Sequence, residues 1–267
     1  MDRRTLEANI AERGTMLCVG LDPVLDRLPA GIPRTIDGVV TFCMAIIDAT
    51  RPYCVAYKPN LAFFECLGVE GMSAFAKTCE YIGEEHLIIA DAKRGDIGNT
   101  ATRYAETFYD RYGCDAVTVA PYMGRDSVEP FLRPGKWAVV LGLTSNAGSA
   151  DFEQQLLADG DELWERVIKQ CVSWGTPDNL MLVTGATKPE KFERIRELAP
   201  DHFLLVPGIG AQGGDLAGVL KYGAVAGGGL LINSSRGIIY KSEGNDFAEA
   251  AGQEARRLAQ TMRQQMK

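Results

Sequence analysis

The stretch LIIADAKRGDIGNT, residues 87–100, joins a short apolar run to a dense group of charged residues. Four apolar residues lead directly into Asp91, Lys93, Arg94 and Asp96, and a helical pattern follows from residue 100. A continuous apolar run is typical of a strand buried on both faces, as in a parallel sheet. The stretch therefore predicts a β-strand, a charged strand end and then a helix.

The same order of apolar run, polar turn and helical pattern recurs along the chain. The predicted strands lie near residues 16–22, 54–60, 86–93, 115–122, 137–145, 180–186, 203–210 and 230–236. Eight strands alternating with helices in about 250 residues are typical of a (β/α)8 barrel. We therefore predict an α/β fold of the TIM-barrel type, formed by one domain over residues 1–267, with an N-terminal helix that caps the bottom of the barrel.

Helical patterns lie between the predicted strands, at residues 39–52, 100–113, 152–174, 189–200 and 246–266. The competing architecture is an open, doubly wound sheet. Such a sheet is expected to carry a G-x-G-x-x-G phosphate turn after its first strand. Residues 20–29, GLDPVLDRLP, lack that turn and favour the barrel.

Composition excludes several classes of function. The chain has 28 basic and 35 acidic residues, a formal charge of −7 and no basic block, so nucleic acid is not an expected partner. No apolar run approaches the roughly 18–20 residues of a membrane helix, and the charged N-terminus is unlike a signal peptide. The seven cysteines form no C-x-x-C pair, which is typical of reduced thiols. We expect a cytoplasmic protein without a membrane partner.

Charged residues follow the first three predicted strands. Strand 1 ends in Asp22, strand 2 in Lys58 and strand 3 in Asp91 and Lys93. Active sites of this fold form at the C-terminal ends of the strands. Asp91 and Lys93 are two residues apart on an extended segment, so their side chains should leave the same face. We predict an alternating array of acids and bases; a structural ion-pair network at the barrel rim is the alternative.

The two histidines precede strands instead of following them. His86 lies before strand 3 and His202 before strand 7, which places both near the bottom of the barrel. A histidine base, a Ser-His-Asp triad or a histidine-bound metal is therefore not expected. The chemistry should depend on carboxylates and lysines.

A phosphate site is predicted at the ends of strands 7 and 8, where this fold often binds phosphate. Residues 207–215, PGIGAQGGD, are rich in glycine and would expose backbone N–H groups. Arg236 follows strand 8 and could form a bidentate clamp, while Gln212 adds a neutral donor. The expected substrate is a small phosphorylated molecule.

Six blocks of the chain together resemble the orotidine 5′-phosphate decarboxylase family. They are GLDP at 20–23, YKPN at 57–60, DAKRGDIGNT at 91–100, LTSNAGS at 143–149, PGIGAQGGD at 207–215 and NSSRGIIY at 233–240. The forms YKPNLAFFE at 57–65 and LTSNAGS at 143–149 resemble the longer bacterial subgroup. The resemblance implies a homodimeric (β/α)8 barrel that converts orotidine 5′-monophosphate to UMP and CO2, the last step of de novo pyrimidine nucleotide synthesis, without a metal or organic cofactor.

The resemblance also implies a role for individual residues. Lys93 would protonate C6 of the pyrimidine, Asp91 would lie against the substrate carboxylate, and Lys58 and Asp22 would hold the ribose hydroxyls. Asp96, with Ile97 and Thr100, would enter the active site of the partner subunit. The remaining substrate-binding residues would be Ser145 at the pyrimidine ring and Pro207, Gln212, Ser235 and Arg236 at the phosphate end.

Three alternatives remain open at this stage. The first is a magnesium-dependent decarboxylase of a 3-keto sugar acid phosphate, which shares the Asp-x-Lys-x-x-Asp pattern. The second is a Schiff-base aldolase that uses Lys58 or Lys93 as nucleophile. The third is a non-catalytic protein that keeps the scaffold and binds phosphate or a nucleotide.

Overall fold

The computed structural model describes residues 1–186, 189–209 and 215–265, and its centre is a closed barrel of eight parallel strands in chain order. The strands are β1 (Leu17–Leu21), β2 (Ala56–Pro59), β3 (Leu87–Arg94), β4 (Ala116–Val119), β5 (Trp137–Leu143), β6 (Leu180–Thr184), β7 (Phe203–Pro207) and β8 (Leu230–Ser234). Cys18 of β1 pairs with Ala56 of β2 on one side and with Asn233 of β8 on the other, which closes the sheet. The prediction of a barrel is confirmed, and the open sheet is wrong.

Each strand lies between the barrel interior and a surrounding layer of helices, which explains the continuous apolar runs. Every residue of β1, β2, β4, β6 and β8 is buried. The helices are α1 (Arg3–Arg13), α2 (Ile36–Thr50), α3 (Leu61–Glu65), α4 (Gly68–Ile82), α5 (Gly98–Glu106), α6 (Leu163–Trp174), α7 (Lys191–Leu198), α8 (Leu216–Gly223), α9 (Arg236–Ile239) and α10 (Phe247–Gln265). Within the described ranges, no helix combines the length and apolar character that crossing a bilayer requires.

Helix α1 covers the N-terminal end of the barrel, as predicted. Its Leu6 and Ile10 are buried. Arg3 Nη1 donates hydrogen bonds to the carbonyl oxygens of Pro177 (3.1 Å) and Asp201 (2.8 Å), in the segments that precede β6 and β7. These contacts fix the helix across the entrances of two strands and close the apolar core at this end.

The predicted helix over residues 152–174 is wrong in its first half. Only Leu163–Trp174 is α-helical, and residues 147–151 form a 3₁₀ turn. Gly160 has φ of 88°, outside the right-handed helical region, and Leu156 pairs with Glu162 in an isolated bridge. Glu162 then starts α6 through a capping box with Glu165.

Both histidines lie at the bottom of the barrel, as predicted, and are buried. His86 Nε2 is 2.9 Å from the carbonyl oxygen of Arg51, whereas neither ring nitrogen of His202 has a hydrogen-bond partner among the described residues. Burial lowers the pKa of each imidazole to about 4. The fold therefore holds both rings in the neutral form.

These histidines should make folding stability depend on pH. Because the folded pKa of about 4 lies below the ordinary histidine pKa of 6.5, the unfolded chain binds more protons between these values, and stability is lost as pH falls from 6.5 towards 4. The effect of one such histidine between pH 7 and 4.5 is about 2 kcal/mol. Between pH 7 and 4.5, the free energy of unfolding should therefore fall by about 2 kcal/mol less in His202→Leu than in the wild type. Urea unfolding at each pH measures this difference.

The comparison with the variant separates the histidine from the carboxylates, which titrate in both proteins. If the two curves of unfolding free energy against pH run parallel, His202 is not the group responsible.

Candidate active site

The C-terminal ends of β1, β2, β7 and β8 surround a cavity of about 210 Å³. Its polar lining includes residues predicted for both the charged array and the phosphate end. These predicted residues are Asp22, Lys58, Pro207, Ser235 and Arg236, and Asn233 lines the cavity beside them. The structure thus brings six positions from opposite ends of the chain to the mouth of the barrel.

Two lysines share the carboxylate of Asp91. Lys58 Nζ lies 2.6 Å from Asp91 Oδ2, and Lys93 Nζ lies 2.5 Å from Asp91 Oδ1. The Lys58 and Asp91 side chains are only 5% and 9% exposed, whereas Lys93 is 53% exposed. The buried pair therefore anchors a third, accessible charge at the mouth.

The electrostatic balance keeps the buried pair of Lys58 and Asp91 ionised. Burial lowers the pKa of Lys58, but the charges of Asp91 and Asp22 outweigh burial and raise that pKa above its ordinary value. Burial likewise raises the pKa of Asp91, while the positive charges of Lys58 and Lys93 lower it well below the usual range. A buried carboxylate with two lysine partners stays charged where an isolated one would not.

The end of β3 is not the straight strand assumed from the sequence. Ala90 pairs with Val117 and Arg94 with Val119, so the register against β4 shifts between these pairs. Lys93 has φ of 47°, and it is the one residue other than glycine with positive φ in the described ranges. Asp91 and Lys93 do meet, as expected, but through a β-bulge instead of simple alternation.

Thr118 of β4 supports this bulge, and sequence reasoning missed it. Its Oγ1 donates to Asp91 Oδ1 at 3.1 Å and accepts from the backbone N–H groups of Ala92 and Lys93, each at 2.9 Å. The signal in the sequence was a hydroxyl residue inside the otherwise apolar run AVTV at 116–119.

Two buried oxygen atoms at the cavity lack a partner among the described residues. They are Asp22 Oδ1 and Asn233 Oδ1. Buried acceptors are normally satisfied, so these two atoms fit a ligand that carries hydroxyl or N–H groups. Asp22 was predicted, but Asn233 was not singled out, because an asparagine at a strand end has many structural roles.

Ser145 lines a second cavity of about 280 Å³ beyond β5. The turn that presents it is held by Glu153, whose carboxylate accepts from Thr144 N at 2.7 Å and from Thr144 Oγ1 at 2.8 Å. Gly185 packs so closely that an added Cβ would lie 2.6 Å from that of Ser145. Ser145 therefore occupies a well-defined position between β5 and β6.

The predicted phosphate end is described in part. Pro207, Ser235 and Arg236 line the first cavity, and Arg236 is exposed at the start of α9. Gly20 of β1 lies against Ser235, where an added Cβ would come within 1.8 Å of Ser235 Oγ, so only glycine fits. Gln212 lies outside the described residues.

The segment after β3 carries its predicted residues away from the buried pair. Asp96 Oδ1 accepts from Ile97 N at 2.8 Å, and among the described residues Asp96 forms no ion pair with Lys58 or Lys93. Ile97 is 51% exposed and Thr100 is also exposed. The structure of one chain therefore does not bring Asp96, Ile97 and Thr100 into the array.

A larger cavity of about 820 Å³ lies at the opposite end of the barrel, beside the start of β4. Two of the charged groups at its wall already have partners. Asp115 contacts the Met1 amino group and accepts from Ile88 N at 3.0 Å, and Lys136 donates to the Cys114 carbonyl at 2.8 Å. Size alone does not make this cavity the site, because the perturbed, converging charges lie at the other end.

Comparison with known proteins agrees with this geometry. The family model described as "Orotidine 5'-phosphate decarboxylase / HUMPS family" matches residues 15–251. The orotidine 5′-phosphate decarboxylase of Phocaeicola vulgatus is 51% identical over 266 residues, which cover 98% of each chain. That of Christiangramia forsetii is 51% identical and covers 98% of this chain and 97% of its own.

A solved structure of a similar protein has the same fold. The structure of Leishmania donovani OMP decarboxylase aligns with a TM-score of 0.85 at 37% identity, covering 98% of this chain and 99% of that one. The match extends over nearly the whole barrel and includes the segments that carry the charged array. This chain belongs to the orotidine 5′-phosphate decarboxylase / HUMPS family.

Proposed function

We propose that this protein decarboxylates orotidine 5′-monophosphate to UMP and CO2. The observation that carries the proposal is the buried Asp91 carboxylate between Lys58 and Lys93, at a cavity that also contains unsatisfied acceptors and an exposed arginine. The curated relatives, which share half of their residues with this chain, bear the name of that activity. The reaction and the electrostatics of the cavity fit each other.

The chemistry requires electrostatic stabilisation. When CO2 leaves C6 of the pyrimidine, the electron pair of the broken bond remains in a vinylic orbital without delocalisation, and a proton must then reach that carbon. An ammonium group beside C6 stabilises the developing negative charge and supplies the proton. Lys93 is suited to both tasks because it is accessible and held at a fixed carboxylate.

Asp91 and Lys58 have complementary roles in this proposal. Asp91 lies against the substrate carboxylate, so departure of CO2 relieves the approach of two negative charges. Lys58 keeps Asp91 ionised from inside the barrel and, with Asp22, faces the ribose hydroxyls. The buried acceptor atoms of Asp22 and Asn233 would receive hydrogen bonds from those hydroxyls.

The two remote parts of the substrate would hold the reacting carbon in place. We assign the phosphate to Arg236, with Pro207, Ser235 and Gln212 around it, and the pyrimidine edge to Ser145. Binding energy from these remote groups can be used to align C6 with Lys93. Ser145 and Arg236 line the second and the first cavity, respectively, so one extended nucleotide could contact both.

A dimer would complete the array. We propose that Asp96, Ile97 and Thr100 enter the partner's active site and that Asp96 adds a second carboxylate near Lys93. The support is that Ile97 is 51% exposed, and that Tyr122 and Met123, after the neighbouring strand β4, are 91% and 48% exposed on the same end of the barrel. Clustered exposed apolar side chains are typical of an interaction surface.

Two rival activities fit the geometry less well. A magnesium ion at Asp91 would face two ammonium groups within 2.6 Å of the same carboxylate. An aldolase would need a lysine that loses its proton easily, yet the pKa of Lys58 is raised. A protein that only binds nucleotides would have no need of an accessible lysine against a buried acid.

We also propose that the protein works in the cytoplasm. All seven cysteines carry free thiols, and six of them are buried among core residues. Thiols in this state are typical of a reducing compartment.

The activity can be tested directly by mixing purified protein with orotidine 5′-monophosphate and following the loss of orotate absorbance. We expect full turnover after treatment with EDTA, because the proposed chemistry uses only side-chain charges. Absence of turnover in folded protein would reject the proposal. Activity that requires added magnesium would favour the sugar acid decarboxylase, and a substrate adduct trapped by borohydride would favour the aldolase.

Lys93→Ala should separate chemistry from binding. Removal of the proton donor should lower kcat by at least about 10³-fold while UMP binding changes little, because UMP makes its main contacts elsewhere. The matched variant is Arg236→Ala, which should weaken substrate binding roughly 10–100-fold through loss of charge-assisted hydrogen bonds to phosphate. Steady-state kinetics and UMP titration measure both. An active Lys93→Ala protein would show that another group donates the proton.

Mixing inactive variants should test the shared site. In a heterodimer of Lys93→Ala and Asp96→Ala subunits, one site receives both intact residues, so an equal mixture should recover about a quarter of the wild-type sites. The control mixture is Lys93→Ala with Asp91→Asn. Because each subunit supplies both Asp91 and Lys93 to its own site, every site in this mixture carries one substitution, and no activity should return. If the first mixture stays inactive after confirmed subunit exchange, Asp96 does not cross the interface.

A further inference from the structure

Thr118 joins β4 to three groups at the end of β3. Its hydroxyl donates one hydrogen bond to Asp91 Oδ1 and accepts two from the backbone N–H groups of Ala92 and Lys93. The residue is 1% exposed. A hydroxyl has one donor and two acceptor positions, so Thr118 uses its full hydrogen-bonding capacity on this one segment.

The two N–H groups that donate to Thr118 belong to residues of the bulge, which have no regular pairing with β4. The ladder between β3 and β4 passes from Ala90 opposite Val117 to Arg94 opposite Val119, leaving residues 91–93 out of register. These N–H groups are partly buried, and such a group without an acceptor is costly, so the bulge needs a local substitute for the missing carbonyls. The Thr118 hydroxyl is that substitute.

The bulge determines where Lys93 points. Lys93 adopts φ of 47°, a conformation that lysine rarely takes and that persists only when neighbouring groups enforce it. A return of β3 to regular extended pairing would change the register and the face from which this side chain leaves. Its Nζ would then lose its position at 2.5 Å from Asp91 Oδ1.

Packing alone does not explain a threonine at this position. Its neighbours along β4 are Val117 and Val119, and valine has nearly the same shape as threonine. A valine at position 118 would fill the same space but would leave two partly buried N–H groups and one carboxylate oxygen without this partner. The hydroxyl is therefore the feature that the site requires.

We propose that Thr118 is a positioning residue for proton donation by Lys93, acting through the bulge in β3 and the orientation of Asp91. This inference rests on the decarboxylase function proposed above. Thr118 does not contact the substrate in this proposal. It holds the backbone in the conformation that presents the lysine, and it keeps Asp91 oriented when Lys93 turns towards the substrate.

The test compares Thr118→Val, which removes the hydroxyl and keeps the shape, with Thr118→Ser, which keeps the hydroxyl. We expect Thr118→Val to lower kcat about tenfold or more while the Kd for UMP stays within about threefold, because the nucleotide contacts are intact. Thr118→Ser should retain kcat within about threefold. The control is Thr78→Val, which removes another buried hydroxyl, one that donates to the carbonyl of Ala74 in α4 at 2.8 Å and has no contact with Asp91 or Lys93 among the described residues; it should leave kcat unchanged.

Wild-type turnover of orotidine 5′-monophosphate is measured in the same assay, so the two proposals can fail separately. Folded Thr118→Val with wild-type kcat would overturn the positioning role and leave the decarboxylase function intact. A parallel loss of kcat and of UMP binding would also overturn it, since general loosening of the site would then be the cause. If Thr118→Val does not fold, Thr118→Ser decides: an active protein supports the role, and one as inactive as Lys93→Ala overturns it. An inactive wild type would reject both proposals.

Discussion

The site depends on one buried carboxylate that is shared by two lysines. Asp91 is almost without solvent, and a single charge in such a place would be costly unless partners replaced the lost water. Lys58 from the adjacent strand and Lys93 from the same strand each contact one of its oxygens, and Thr118 adds a hydrogen bond from the other side. The array exists because a closed barrel places three consecutive strands around the same point.

Polar residues at the two ends of the barrel have different roles. At the bottom, Arg196 donates hydrogen bonds to the carbonyl oxygens of residues 199, 202, 223 and 229, among others, and burial lowers its pKa to about 10. Arg196 and Arg3 are also the nearby charges that disfavour protonation of His202. Polar groups at this end are largely used to join loops, whereas at the top Asp22, Lys58 and Asn233 face a cavity. The same types of residue thus serve structure at one end and are available to a ligand at the other.

The barrel could be predicted from sequence because both faces of its strands are buried, so each appears as a continuous apolar run. The positions of Asp22, Lys58, Asp91 and Lys93 followed from the rule that strand ends converge. The helix predicted over residues 152–174 was too long, because the spacing of apolar residues does not reveal a glycine with positive φ or an isolated β-bridge. The bulge at Lys93 was missed for a related reason: it depends on a hydroxyl from β4, 25 residues away along the chain.

The bulge also suggests how the array can act without losing its structure. Each oxygen of Asp91 contacts a lysine amino group, so in the proposed reaction Lys93 must leave its oxygen to reach C6. Lys58 remains on the other oxygen, and Thr118 still donates to the oxygen that Lys93 has left. Because these two partners come from β2 and β4, on either side of β3, the carboxylate cannot rotate to follow the departing lysine without breaking contacts on both sides. In the proposed reaction, the negative charge of Asp91 would therefore stay in place until the substrate carboxylate has left as CO2, and Lys93 alone would change position.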